Sequence, residues 1–425
     1  MIKRLKLDQS KFLLFYLLPI TFIAGPAIVE LCFFLLSLII LFIFKKKIIN
    51  KENKHFLYFF IFFYIYLNLN SFFSVDILNS FKSSIPYLRY LFAFIAISYF
   101  LMSNLNILLK SKHIFILIFS ILFIDSMIQF IFGKNIIGFP IIDEGTYRIS
   151  SFFGNELILG GYIARTLPIL LGLIFFSADF KKNENINLEV LILCAVSLTI
   201  TLLSGERVAF FQVVLITLFT IFFLISSKNI KYIFVLILVI FLTSVFSTNN
   251  KIKTRMFVDT LNIMKEVDKF SNIDSKIILY SQVHHSHIIS GYKMFLDSPI
   301  LGHGLKSFRK LCSKEKYVIN KFSCTTHPHN IFIQFLSELG IIGIIFYFIS
   351  FFYFLVNFFK DMFRLNKPYV KSKQCVVFSI LLFYLPIPSG SFFNNYMSYQ
   401  FYYLIIFYIL YLCISKKSFK SKMVG

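Results

Sequence analysis

The chain of 425 residues has no tryptophan and little charge. Asp, Glu, Lys and Arg together make up 15% of it, where a soluble domain carries about 25%. That deficit argues against a soluble enzyme. Acidic residues are scarcest, 20 against 43 Lys and Arg, for a net charge of +23. Nucleic acid is not the implied partner, because most of the cations fall in short loops between apolar runs. Apolar and polar residues do not alternate, which excludes a β-barrel. There is no internal repeat and no low-complexity linker. No clear A-x-A site follows the first apolar run, as a cleaved signal peptide would require. The heavy use of Phe, Ile, Lys and Asn has the look of coding bias, so aromatic abundance carries no argument.

What is present is hydrophobic length. The chain is 58% hydrophobic with mean hydropathy +0.78. Apolar runs of about 20 residues recur from end to end, the signature of spanning helices. The expected fold is an all-α polytopic membrane protein of about twelve transmembrane helices with one long, partly helical periplasmic loop. A first run over 12–44, broken at Gly25-Pro26, predicts a hairpin of two short helices. Spans are then expected at about 55–74, 86–103, 113–133, 157–177, 187–204, 207–226 and 230–247. Three more follow at about 330–357, 375–391 and 399–414. This divides one integrated membrane domain into residues 1–247, a polar loop 248–328, and residues 329–425.

The placement of Lys and Arg orients the chain. The seven segments expected in the cytoplasm carry 24 of them; the short segments opposite carry three, Lys82, Lys134 and Arg148. Short cytoplasmic loops are enriched in these residues, so both termini are expected in the cytoplasm. The 248–328 loop then lies outside; loops that long escape the rule.

Ionisable residues at membrane depth are costly, so each is a functional candidate. In Cys324–Gly343, His327 and His329 flank Pro328, and Asn330 follows. The proline predicts a helix starting just beyond it. A dipole at that helix N-terminus keeps His329 neutral and able to accept a proton; the bland alternative is a His-Asn helix cap. The following helix reads as one element over 330–357, about 42 Å at 1.5 Å per residue. Gly340 and Gly343 read as a small face for helix contact. Ser204-Gly205-Glu206-Arg207 lies between two spans. Arg207 there suits a phosphate, and the alternative is a Glu206–Arg207 pair that only stabilises the turn. Arg148 faces the same cavity or pairs with Glu156. In the loop, Ser286–Phe295 suits an amphipathic helix that puts His284 and His287 one turn apart. Asp297-Ser298-Pro299 with Gly302 and Gly304 reads as a turn. Cys312 and Cys324 share the polar segment, where a disulfide suits an extracytoplasmic setting. Zinc on His284 and His287 would need His327 or His329 as third ligand. No carboxylate or thiolate set accompanies them, so no metal and no cofactor is expected.

These pieces together resemble the O-antigen ligase and O-antigen polymerase superfamily of bacterial membrane glycosyltransferases. The hallmark is His329-Asn330, nine residues, then Gly340-Ile341-Ile342-Gly343. The S-G-E-R stretch, the D-x-P-x-x-G-x-G turn at Asp297–Gly304 and the long loop ahead of the hallmark also match. The resemblance covers most of the chain and is strongest over about 200–345. It implies an inverting, metal-independent transfer of a glycan from undecaprenyl diphosphate on the periplasmic face of the inner membrane. The acceptor is lipid A-core in ligases and another repeat unit in polymerases. His329 matches the histidine that activates the acceptor hydroxyl, and Arg207 the arginine that holds the diphosphate. Glu206, Asn330, His327, Gly340 and Gly343 are supporting. Family ligases often carry a second arginine ahead of the D-x-P turn. By spacing it falls near His284, and no arginine lies between Arg255 and Arg309. His284, His287, Lys293, Lys306 or Arg309 is then the replacement. The alternative function is a transporter or flippase of the same lipid-linked glycans, for which polar mid-membrane sites and repeated halves are expected.

Overall fold

A computed structural model describes residues 13–43, 54–103, 105–141, 147–178, 186–248, 250–265 and 280–415. The basic start and tail and the Lys45–Lys47 run lie outside these. The described residues form helices and no strand. In chain order they are α1 Leu13–Ala24, α2 Pro26–Ile43, α3 Lys54–Phe72, α4 Ile77–Ser84, α5 Leu88–Ser103, α6 Leu105–Phe132, α7 Leu159–Ala178, α8 Ile186–Leu203 and α9 Arg207–Phe219. Then come α10 Lys228–Thr248, α11 Asn250–Lys253, α12 Asp259–Lys265, α13 Gln282–Asp297, α14 Phe308–Leu311, α15 Ile331–Met362, α16 Pro368–Leu382 and α17 Asn395–Ser415.

Among the described residues, eight helical runs are long and apolar enough to cross a membrane. They are α3, α4 running into α5, α6, α7, α8, α9 with the turn after it, α15 and α17. α1 and α2 are shorter and apolar. They meet at Gly25 (φ +116°) and fold together, with the rings of Phe22 and Phe33 6.0 Å apart. α7 and α17 form the centre, with 94% and 89% of their spanning windows buried inside the protein.

Two expected boundaries move for electrostatic reasons. The span placed at 113–133 begins at Leu105, because Lys112 is held inside the bundle by Glu189 at 2.7 Å. The span placed at 375–391 is α16, which ends at Leu382. Lys373 is accommodated within it by an ion pair to Asp361 of α15. Pro386 and Pro388 lack the N–H a helix would need beyond it.

The largest departure is α15. It is not one straight helix: Gly340 has φ +62° and ψ −160°, and the chain reverses there. Phe332 lies 6.2 Å from Phe348 and 5.7 Å from Tyr347, ring to ring, and Phe335 lies 5.5 Å from Tyr347. In a straight helix, residues 332 and 348 would be about 24 Å apart. Residues 331–339 therefore fold back along residues 341–348 as a helical hairpin. Gly343 permits the closure, since a Cβ there would stand 2.2 Å from Leu339 Cβ. The expected 42 Å rod, and the reading of Gly340 and Gly343 as a face toward another helix, are corrected accordingly.

Breaking a helix exposes backbone groups at both new ends. The D-x-P-x-x-G-x-G turn supplies their partners. Ser337 and Glu338 carbonyls accept from His303 (3.0 Å) and Gly304 (2.9 Å), and Ile341 N–H donates to the Pro299 carbonyl (2.8 Å). The Leu339 carbonyl accepts from the Tyr66 hydroxyl of α3. The approach is so close that a Cβ on Gly302 would stand 2.5 Å from the Glu338 carbonyl carbon. The two glycine motifs, 297–304 and 340–343, are thus one structural device.

Candidate active site

The hairpin carries His329 at the end away from its tip, roughly 14 Å along the axis of residues 331–339. Asn330 caps that helix, its side chain accepting from Ile333 N–H at 3.0 Å. His329 itself has φ +51°, a left-handed conformation unusual outside glycine, and its carbonyl accepts from Ser389 N–H at 2.8 Å. The cap and the 383–394 turn hold it there.

Three other imidazoles surround it. Ring centroids lie 4.0 Å away for His327, 5.2 Å for His287 and 5.7 Å for His284. The last two come from α13, which begins at Gln282 with Ser281 as its cap. α13 crosses the hairpin at Gly291, where a Cβ would stand 2.4 Å from Ile333. The disulfide Cys312–Cys324 closes the loop just ahead of His327. Among the described residues, no group of three or more His, Cys, Asp or Glu side chains is arranged to hold a metal ion.

Burial keeps the cluster neutral. Burial, and then the neighbouring His329, push His327 to about 3 and His284 and His287 to about 4; Arg207 adds to the effect on His284. His329 is lowered by burial, which the Ser389 backbone opposes.

Beside His284 stands a group of arginines. Arg207 opens α9 and donates from Nε to the Arg255 carbonyl at 3.0 Å; its Nη2 is buried and has no partner among the described residues. Arg255 Nε is likewise buried without a partner among the described residues. Arg148 donates to the Ser204 carbonyl (3.3 Å) and the Leu157 carbonyl (3.2 Å), not to Glu156. Gly205 (φ +65°) makes the room, since a Cβ there would stand 3.1 Å from Arg148 Cγ and 3.8 Å from Arg255 Cγ. Burial lowers Arg148 and Arg255. Such desolvated guanidinium groups with open N–H donors suit an oxyanion.

Glu206 does not pair with Arg207. Its carboxylate accepts from Gly160 N–H (2.6 Å) and Gly161 N–H (3.1 Å), capping α7. Burial pushes it up to about 7 against the pull of Arg148 and these two amides.

Sequence reasoning missed two residues. Spacing puts the second arginine near His284, yet Arg255 is the sole arginine between Arg207 and Asp297. Arg165 lines a cavity with Gln212, Ile331 and Ser389, directly under the hairpin's first turn. Lys293 is not among the residues brought to the imidazoles, whereas Arg309 acts on His327.

Fold and site together define a polytopic helical membrane protein whose loop and broken helix present a neutral histidine cluster beside arginines that keep buried N–H groups without a partner among the described residues. Residues 192–348 match the family model described as O-antigen ligase, which supports the O-antigen ligase and polymerase superfamily. The matched span begins within α8, includes Arg207, Arg255, His284, His287 and His329, and ends at the hairpin's second arm. No curated protein matches the chain.

Proposed function

We propose that the chain transfers a glycan from undecaprenyl diphosphate to an acceptor sugar hydroxyl on the periplasmic face of the bacterial inner membrane. Both termini are cytoplasmic in this reading, with the 248–328 loop outside. The acceptor hydroxyl gives its proton to His329 as its oxygen bonds to the anomeric carbon. The bond from that carbon to the diphosphate breaks, and the electron pair leaves on the diphosphate oxygen. Arg207 and Arg255, with Arg148 behind them, neutralise that departing charge, which is where most of the barrier lowering lies. His284, next to Arg207, donates to the diphosphate or orients it.

The observation that carries the reading is the pairing of a neutral His329 with arginines whose N–H groups are buried and unpartnered. A neutral imidazole is a competent base without prior deprotonation. The test is lipopolysaccharide from a deletion strain carrying wild-type, His329→Ala or Arg207→Ala protein. Loss of surface polysaccharide with normal membrane insertion is expected. A core-only profile with polymerised lipid-linked glycan identifies a ligase, and core bearing one repeat a polymerase. Full activity in both variants, or net glycan transport without transfer by the purified protein, overturns the assignment.

A further inference from the structure

At the end of α10 far from Arg255 lies a groove that glycan transfer does not use. α9 runs into a widened turn, Thr220–Leu224, where Ile225 N–H donates to the Thr220 carbonyl at 3.1 Å. A helix end leaves carbonyls unpaired, and lysines take two of them here. Lys231 Nζ donates to the Phe222 carbonyl at 2.7 Å, and Lys371 Nζ to the Leu224 carbonyl at 2.6 Å. Lys228, the first residue of α10, is exposed. None of the three lysines has a carboxylate partner among the described residues. Carbonyl ends carry only partial charge, so the ammonium charges gathered at this turn are not neutralised.

α10 packs on the bundle by a narrow stripe. Residues 233–242 are all apolar, yet only one face turns inward near the groove. Phe234 is buried there, and Ile230 and Leu238, each one turn from it, are partly buried. Val235, Leu236 and Val239 are exposed. Together with Phe222 they line a groove of about 640 Å³, with Lys228 and Lys231 at one end. From Lys228 to Val239 it runs about 16 Å along the helix. That is about half of a hydrocarbon core about 30 Å thick, the depth of one leaflet. Hydrocarbon, not water, fills an apolar groove at that depth.

We propose that this groove is a site for an anionic phospholipid of the cytoplasmic leaflet, with its phosphate on Lys228 and Lys231 and one acyl chain along Val235, Leu236 and Val239. It rests on the orientation in which residues 227–232 are cytoplasmic, and not on the glycan-transfer chemistry. Basic pockets between membrane helices on that side attract acidic head groups. A lysine ammonium is a point charge on a flexible stem, which suits a phosphate held at the interface. A zwitterionic lipid brings its own ammonium against the same lysines and gains less. The arginine site is a separate one, since α10 carries the chain about 30 Å from Lys228 before it turns back to Arg255.

Native mass spectrometry of the full chain in detergent tests this, with phosphatidylglycerol as the probe and phosphatidylcholine of the same acyl chains as the control. The wild type is expected to retain a phosphatidylglycerol that phosphatidylcholine does not replace. Lys228→Ala should weaken that lipid about fivefold, and Lys228→Ala with Lys231→Ala about thirtyfold. Lys228→Arg should keep it. Leu236→Trp, which puts an indole into the groove, should weaken it without touching charge. Equal retention of the two lipids, or a phosphatidylglycerol indifferent to the lysine pair and to Leu236→Trp, overturns the site. The leaflet is tested separately with Lys228→Cys in protein whose free thiols Cys32, Cys194, Cys375 and Cys413 are replaced by serine. An impermeant maleimide should label it only after spheroplasts are permeabilised. Labelling from outside overturns the orientation and the leaflet, whereas binding in detergent judges the groove and its lysines on their own.

Discussion

Replacing Gly340 with alanine strikes the turn on which the whole site hangs. Its φ of +62° and ψ of −160° lie where side-chain-bearing residues scarcely occur, at a cost of about 1–3 kcal/mol. The new Cβ would also stand 2.4 Å from the Ile300 carbonyl oxygen, so the 299–304 turn must move away. That breaks the bonds from Ile341 and Ile342 to Pro299 and Ile300, worth about 1 kcal/mol each. The sum is roughly 3–5 kcal/mol, enough to open the hairpin and carry His329 away from His284 and His287. The hairpin can be measured directly with Phe332→Cys and Phe348→Cys, after the free thiols Cys32, Cys194, Cys375 and Cys413 are replaced by serine. A short bis-maleimide should join the pair, because the native rings are 6.2 Å apart. In the Gly340→Ala background the cross-link should fall sharply and the melting temperature in detergent should drop. No cross-link in the parent, or an alanine variant that cross-links and melts like it, would refute the hairpin.

Because His329 is lowered from the ordinary histidine value by burial, the acid limb of the transfer rate against pH should lie below about 6.5. A limb at or above that value would show that the base is another group. Arg255→Ala should cost about 100-fold in kcat/KM for the donor, as losing an oxyanion donor does. Arg255→Lys should not rescue it, for want of a second N–H in the plane; wild-type kinetics in either variant removes Arg255 from the site. Glu206 has a folded-state pKa of about 7, above that of an exposed carboxyl. The folded state therefore binds the extra proton, and this group's contribution is lost as pH rises from about 4.5 to about 7. Glu206→Gln should flatten the melting temperature across that window relative to wild type, and an unchanged slope would refute the burial argument. Reducing Cys312–Cys324, or replacing both with serine, should cost roughly 3 kcal/mol through the reopened loop; differential scanning fluorimetry with and without reductant checks it.

Much of the site was legible along the chain because its signals are local. His329 beside a helix start, Asn330 as its cap, an amphipathic α13 with two histidines one turn apart, and the turn at Asp297–Gly304 each depend on a few neighbouring residues. Arg255 was not legible in the same way. It lies 48 residues from Arg207, and only the packing of the 250–258 segment against the turn at Gly205 joins them. Spacing along the chain pointed elsewhere. The partner of Glu206 was missed for the same reason: the amides of Gly160 and Gly161 are 46 and 45 residues away.

The sequence by itself determined that this is a helical membrane protein, since runs of about 20 apolar residues have no other stable solution in lipid. It also marked out most of the candidate side chains, because charge and imidazole are scarce enough to stand out. Only the tertiary structure decided that the helix after His329 is two helices. A glycine in an apolar run reads equally as a packing face or a break; what selects the break is a set of donors and acceptors, at 299–304 and on Tyr66, waiting for the backbone groups that the break exposes. That long-range complementarity, invisible in any local pattern, helps bring four imidazoles together.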